Sequence, residues 1–206
     1  VSYNTMHYQY GAGGDLRVKT NTLTGESVFY EYDDFGNLRQ VMNPEGLTVH
    51  YLIDGQNRRV GRISGKSLKI YVYQSQLQLA AELDGSGRLQ SRFVYGQRSN
   101  VAEYMIRSGK TYKLVSDHLG SVRAVIDIQT GQVAQELEYD EYGRVLRDSN
   151  PGFQPFGFAG GLYDAETKLL RFGARDYDAE VGRWTSKDPI SFNGGDTNLY
   201  GYVVND

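Results

Sequence analysis

Glu31 to Val41 reads EYDDFGNLRQV, and Glu138 to Asp148 reads EYDEYGRVLRD. The shared grammar is Tyr32-Asp33 then Gly36, and Tyr139-Asp140 then Gly143 followed by Arg144. Each residue has a mechanical part. The tyrosine ends an incoming strand. The aspartate opens a turn by accepting backbone N–H groups two residues on. The glycine supplies the positive φ that closes the turn. A basic or polar residue and then an aliphatic one begin the outgoing strand. Weaker copies surround these two: YQYGAGGDLRV (Tyr8 to Val18), YLIDGQNRRV (Tyr51 to Val60), ELDGSGRLQ (Glu82 to Gln90), VSDHLGSVRAV (Val115 to Val125) and DYDAEVGRW (Asp176 to Trp184). The last keeps Tyr177, Asp178, Gly182 and Arg183.

Between these turns the chain alternates. In SVFYEYD, Val28, Tyr30 and Tyr32 share one face, with Phe29 and Glu31 on the other. In SLKIYVYQ, Leu68, Ile70 and Val72 oppose Lys69, Tyr71 and Tyr73. Period-two alternation of β-branched and aromatic residues predicts strands. Residues 1–147 therefore read as an all-β antiparallel meander of roughly a dozen strands at the 8–12-residue spacing of such folds. A meander this long must curl or close, since open twisted sheets rarely exceed ~10 strands.

From Asp148 the pattern breaks, so residues 148–206 read as a separate, loop-rich segment. DSNPGFQPFGFAGGLYD gathers Phe153, Phe156 and Phe158, which would not sit in water together. That run is expected to lie against the sheet. Leu169, Leu170, Phe172 and Ala174 read as a strand. NLYGYV (Asn198 to Val203) reads as a short helical turn with Asp196 or Thr197 as its N-cap.

Composition agrees with an extended sheet. Hydrophobic residues are 39% of the 206, but 17 tyrosines add ring area that buries while its hydroxyl stays bonded or wet. Glycines number 25 and prolines 4, spaced as turns and below the level of a disordered chain. The net charge is −3, with no basic stripe for a nucleic acid. No apolar run is long enough to span a bilayer. Cysteine is absent, which excludes disulfides and thiolate chemistry. His7, His50 and His118 lack ligand spacing, and neither DIQTGQ nor DGSG has the acidic pattern of a calcium loop, so no metal or cofactor is expected.

The ordered combination of Tyr-Asp repeats, DHLGSVRAVID (Asp117 to Asp127) and LRFGARDYDAEVGRWTSKDP with GGDTNLYGYV (Leu170 to Val203) resembles the YD-repeat proteins. That group holds bacterial Rhs proteins, the C components of bacterial toxin complexes and the animal teneurins. The closing segment is similar to the Rhs-associated core. The resemblance implies a spiralling β-shell with the core segment as a plug, enclosing a C-terminal effector or toxin region of a larger secreted or surface-displayed bacterial protein. It also implies an aspartyl self-cleavage built on two Asp-Pro-x-Gly boxes. Asp188-Pro189-Ile190-Ser191 matches the first box, with serine in place of glycine, and a second box would lie beyond Asp206. Asp188 is then half of a candidate catalytic dyad, which needs two carboxylates sharing a proton. As written, this chain is not expected to cleave anything. Asp188 before proline also reads as a plain turn opener. An alternative function is adhesion or glycan binding through tyrosines exposed on the outer strand face. A 206-residue piece is short for a whole shell, so its sheet edges are expected to invite other chains.

Overall fold

The computed structural model describes residues 2–3, 5–96, 98, 100–187 and 200–201. Fifteen strands run in sequence order: β1 (Ser2–Tyr3), β2 (Met6–Tyr10), β3 (Leu16–Asn21), β4 (Ser27–Tyr32), β5 (Leu38–Met42), β6 (Thr48–Ile53), β7 (Arg59–Ser64), β8 (Ser67–Tyr73), β9 (Leu79–Asp84), β10 (Leu89–Tyr95), β11 (Ala102–Arg107), β12 (Lys110–Ser116), β13 (Val122–Asp127), β14 (Val133–Tyr139) and β15 (Val145–Asp148). Each pairs antiparallel with the next, so the whole sheet is one unbroken meander. A second, four-stranded antiparallel sheet follows: β16 (Leu162–Tyr163), β17 (Leu169–Phe172), β18 (Arg175–Asp178) and β19 (Arg183–Trp184). The all-β expectation holds.

The alternation in the sequence leaves open which face is inside, and the structure decides it for the tyrosines. Tyr8, Tyr30, Tyr51, Tyr71, Tyr112 and Tyr139 are all buried on one face of the large sheet. The opposite face carries partly exposed Phe29, Met42, Leu52, Val72, Val94 and Val115. Tyrosine suits the inner face because its ring fills space there and its hydroxyl can still find a bond. The expected glycan surface of outward tyrosines is corrected by this: among the exposed large apolar side chains of the outer strand face Tyr104 is the tyrosine, beside Phe29 and aliphatic residues.

The inner sheet occupies the concave side and shows how far the wall curls. β3 and β14 are eleven strand positions apart, about 50 Å in a flat sheet at ~4.8 Å per strand. Yet Asp178 of β18 bonds Lys19 of β3, while its neighbour Tyr177 donates its hydroxyl to the Tyr142 carbonyl just past β14. Two adjacent residues thus hold both ends of the wall, which is possible only if the wall wraps around them.

Two apolar clusters form the interior. One joins Phe93, Met105, Leu114, Val125 and Leu137 of the wall to Phe156, Phe158, Leu170, Tyr177 and Trp184. The other joins Tyr8, Tyr30, Leu38, Val41, Val49 and Tyr51 to Leu169. Consecutive residues Leu169 and Leu170 therefore serve different halves of the core. The phenylalanines of the 150s lie against the sheet through edge-to-face pairs: Phe156 with Phe93 at 4.9 Å, Phe153 with Tyr112 at 5.1 Å.

The strand expected through Ala174 ends at Phe172, where a tight turn begins. Among the described residues the one helical element is a 3-10 turn at Phe158–Gly160. The helix expected over Asn198 to Val203 lies mostly outside the described residues. Its described part, Tyr200–Gly201, is a turn and a β-bridge from Gly201 to Arg183.

Candidate functional site

Five copies of the Tyr-Asp turn share one geometry. The first carboxylate oxygen of Asp33, Asp54, Asp84, Asp117 and Asp140 accepts the N–H groups two and four residues on, at 2.8–3.1 Å. The second oxygen takes an arginine: Arg39, Arg58, Arg88, Arg123 and Arg144 respectively. Gly36 and Gly143 stand at the third position after the aspartate with φ of 78° and 89°. In the Asp54 turn that position is Asn57, at φ 60°, and not Gly55. Asparagine tolerates the left-handed region because its short amide bonds locally. For Asp54, burial pushes the carboxyl up, but the Arg58 and Gln56 amides and the Arg58 guanidinium outweigh it and hold it below the usual carboxylate range.

The tyrosine before the turn does more than end a strand. Register shifts fall between Glu31 and Tyr32, Val72 and Tyr73, Val94 and Tyr95, and Glu138 and Tyr139. Such a bulge re-aims a side chain. Three of these tyrosines then donate their hydroxyls to the first residue of the preceding, paired strand: Tyr73 to the Arg59 carbonyl, Tyr95 to Leu79 and Tyr139 to Val122, at 2.9–3.1 Å. These three hydroxyls tie the ends of paired strands together, a role no local reading of the motif contains.

Tyr177-Asp178-Gly182-Arg183, the last copy, lies in the inner sheet. Asp178 still accepts the Glu180 N–H, and Gly182 has φ 64°, but the turn is one residue longer. Asp178 and Arg183 are register partners across β18 and β19, and the Asp178 carboxylate binds Lys19 of the wall instead of a local arginine. Arg183 is exposed.

That contact is one of three charged clamps between wall and inner sheet. In the first, Lys19 bonds Asp178 at 2.7 Å and also Glu180. In the second, Arg62 bonds both Asp164 oxygens at 2.6 and 3.1 Å, while the Tyr51 hydroxyl donates to Asp164 at 2.8 Å. In the third, Asp176 takes Arg59 of the wall at 2.6 Å and Arg171 of β17 at 2.7 Å. Arg171 also donates to the Asn37 side chain and the Asn57 carbonyl, and so reads two Tyr-Asp turns at once. Removing one partner of a buried pair strands a charge, which makes such contacts stringent about alignment. Burial raises Asp164, but Arg62 and the Tyr51 hydroxyl hold it below the usual range. Glu180 is lowered in the same sense: burial opposes, and Lys19 prevails.

Asp188, the candidate catalytic carboxylate, lies outside the described residues. Asp176 serves the third clamp, and the Arg175 guanidinium stacks over Trp184 at 4.1 Å. Among the described residues no cluster of His, Asp or Glu has the arrangement of a metal site, and no helix is long and apolar enough to cross a membrane.

The family model described as the Teneurin YD-shell matches residues 1–206. The chain belongs to the teneurin YD-shell family. Teneurin-1 of Gallus gallus is 33% identical over 188 residues, covering 88% of this chain. Teneurin-m of Drosophila melanogaster is 39% identical over 161 residues, covering 75% of it. The YD-shell chain spans only 7% and 6% of those two relatives. Among solved structures, the Photorhabdus luminescens Tc holotoxin pore aligns with TM-score 0.62 at 19% identity, over 96% of this chain and 12% of that one. A TcdB2–TccC3 crystal structure aligns with TM-score 0.63 at 18% identity, over 95% and 12%. These likenesses fix the fold of the YD shell as that of the Rhs shell.

Proposed function

We propose that this YD-shell segment is a structural wall, and that its part from residue 148 onward is a plug that holds the wall's curvature, in a secreted or cell-surface protein whose shell encloses a C-terminal effector region. The observation that carries the reading is the attachment of both wall ends to Tyr177 and Asp178. Containment needs a continuous barrier without gaps. The unbroken meander, the tyrosine bonds between paired strands and the charged clamps support such a reading. The shell likeness supports the enclosing role and does not name the cargo.

The test is limited proteolysis of the longer parent polypeptide. Its C-terminal region should resist protease at concentrations that digest the same region expressed alone. Equal rates of digestion would remove containment. The adhesion reading ranks below this one, since most of the strand tyrosines are buried on the inner face and few remain outside as platforms for a sugar.

A further inference from the structure

The concave side of the wall holds a cavity of about 290 Å³, close to the ~300 Å³ lower end of small-ligand pockets. Tyr71 of β8 lines it from one arm of the wall, and Gln135 and Leu137 of β14 line it from the other. Pro155, Phe156 and Tyr163 of the later segment close it. Pro151 and Ala165 stand exposed at its mouth.

Polar groups in this space go unmet. Tyr71 is 8% exposed, and its hydroxyl bonds to no described residue. Gln135 is 1% exposed, and its Oε1 is buried without a donor. The orientation of that amide is fixed. Its Nε2 donates to Asp148 Oδ1 at 2.8 Å and to the Asn150 carbonyl at 3.0 Å, so a reversed amide would set oxygen against two acceptors. Asp148 Oδ1 also accepts the Asn150 N–H, which leaves Oδ2 free of described partners. A buried acceptor without a donor is costly.

The cations lining the cavity are already engaged. Arg62 pairs with Asp164 and Glu166, and Lys69 lies 3.5 Å from Glu82. Asp148, half-buried on the cavity wall, meets no cation among the described residues. Asp148 and Gln135 thus hold two unmet acceptors on directly bonded side chains, one of them charged, beside aromatic rings. The group that answers them donates only, carries positive charge and tolerates a ring face.

We infer that this cavity is a binding site for an organic cation rich in N–H donors, an amidinium, guanidinium or ammonium on a short apolar stem, with the cation toward Asp148 and the stem against Tyr71 and Phe156. The site is independent of the enclosing role. The ligand chemistry is shared by two sources, a free small amidine or amine and the basic side chain of a peptide.

The test titrates the folded chain by calorimetry with benzamidine and with benzamide, its uncharged isostere. A second pair is acetyl-Gly-Arg-Gly-amide and the same peptide with citrulline for arginine. Each cation should bind saturably, at least tenfold tighter than its neutral counterpart. An arginine peptide that outbinds benzamidine assigns the peptide source, and the reverse assigns the small molecule. Asp148→Asn keeps an oxygen for Gln135 and should weaken binding about tenfold or more. Ala165→Trp, at the mouth, should block the site without altering its charge. Circular dichroism verifies the fold of both variants. No saturable binding of either cation, equal binding of the neutral isosteres, or unchanged affinity in both variants would overturn the assignment.

Discussion

Lys19 Nζ lies 2.7 Å from Asp178 Oδ2, although 159 positions separate them in sequence. Both side chains are nearly sealed from solvent, at 7% and 4% exposure. The pair closes the wall onto the inner sheet, so its two halves should be energetically inseparable.

Lys19→Met strands the Asp178 carboxylate and should cost about 3–5 kcal/mol, the usual penalty for breaking a buried pair from one side. The double variant Lys19→Met with Asp178→Asn should cost clearly less than the sum of the single changes. Urea unfolding midpoints measure both. Additivity within about 0.5 kcal/mol would mean that the contact is not coupled.

Gly143 and Gly87 occupy the same turn position with φ of 89° and 81°. A Cβ at Gly143 would come 2.3 Å from the Phe158 ring, whereas one at Gly87 meets nothing. Gly87→Ala should therefore cost about 1–2 kcal/mol of backbone strain. Gly143→Ala should cost distinctly more, because the clash falls on a core aromatic. Similar thermal shifts for the two would refute the packing argument.

Asp54 separates the two jobs of the turn aspartate. Asp54→Asn keeps an oxygen for the Gln56 and Arg58 amides and loses the ion pair, a change of under about 1 kcal/mol for a partly exposed pair. Asp54→Ala loses both amide bonds and should cost about 1–2 kcal/mol. The order of the two variants in chemical denaturation checks the assignment.

Stability should fall in acid. Asp164 and Glu180 have folded pKa values held below their ordinary 3.8 and 4.5. A depressed carboxylate adds stability that is complete above its ordinary value and lost as the pH falls through its folded value. Their contribution should be intact above about pH 5 and drain away below about pH 4. Denaturation at pH 7, 5 and 3.5 reads the trend, and Asp164→Asn should flatten the slope between the last two. An unchanged slope in that variant would show that Asp164 is not among the acid-sensitive groups.

The strands and turns were legible from residue order because their causes are local. Alternation places successive side chains on opposite faces, and an aspartate followed three residues on by a glycine bonds its own turn. Both work within a few residues of chain. Asn57 in the glycine position shows the limit of the motif: the turn selects for a left-handed backbone, and more than one residue type meets that need. The Phe-rich run could be placed against the sheet from hydrophobicity alone, but not against Phe93 or Tyr112 in particular.

Tertiary structure alone decided which face of the alternation points inward, how far the wall curls, and which charges meet. A strand with tyrosine and lysine on one side and valine and leucine on the other has two plausible inner faces, and only the volume left around the inner sheet chooses between them. Lys19, Arg59 and Arg62 look like ordinary surface cations in their own strands. They become interior groups because a segment more than a hundred positions later carries Asp164, Asp176 and Asp178 to them. Contacts between residues so distant in sequence depend on the path of the whole chain, and no local pattern encodes that path.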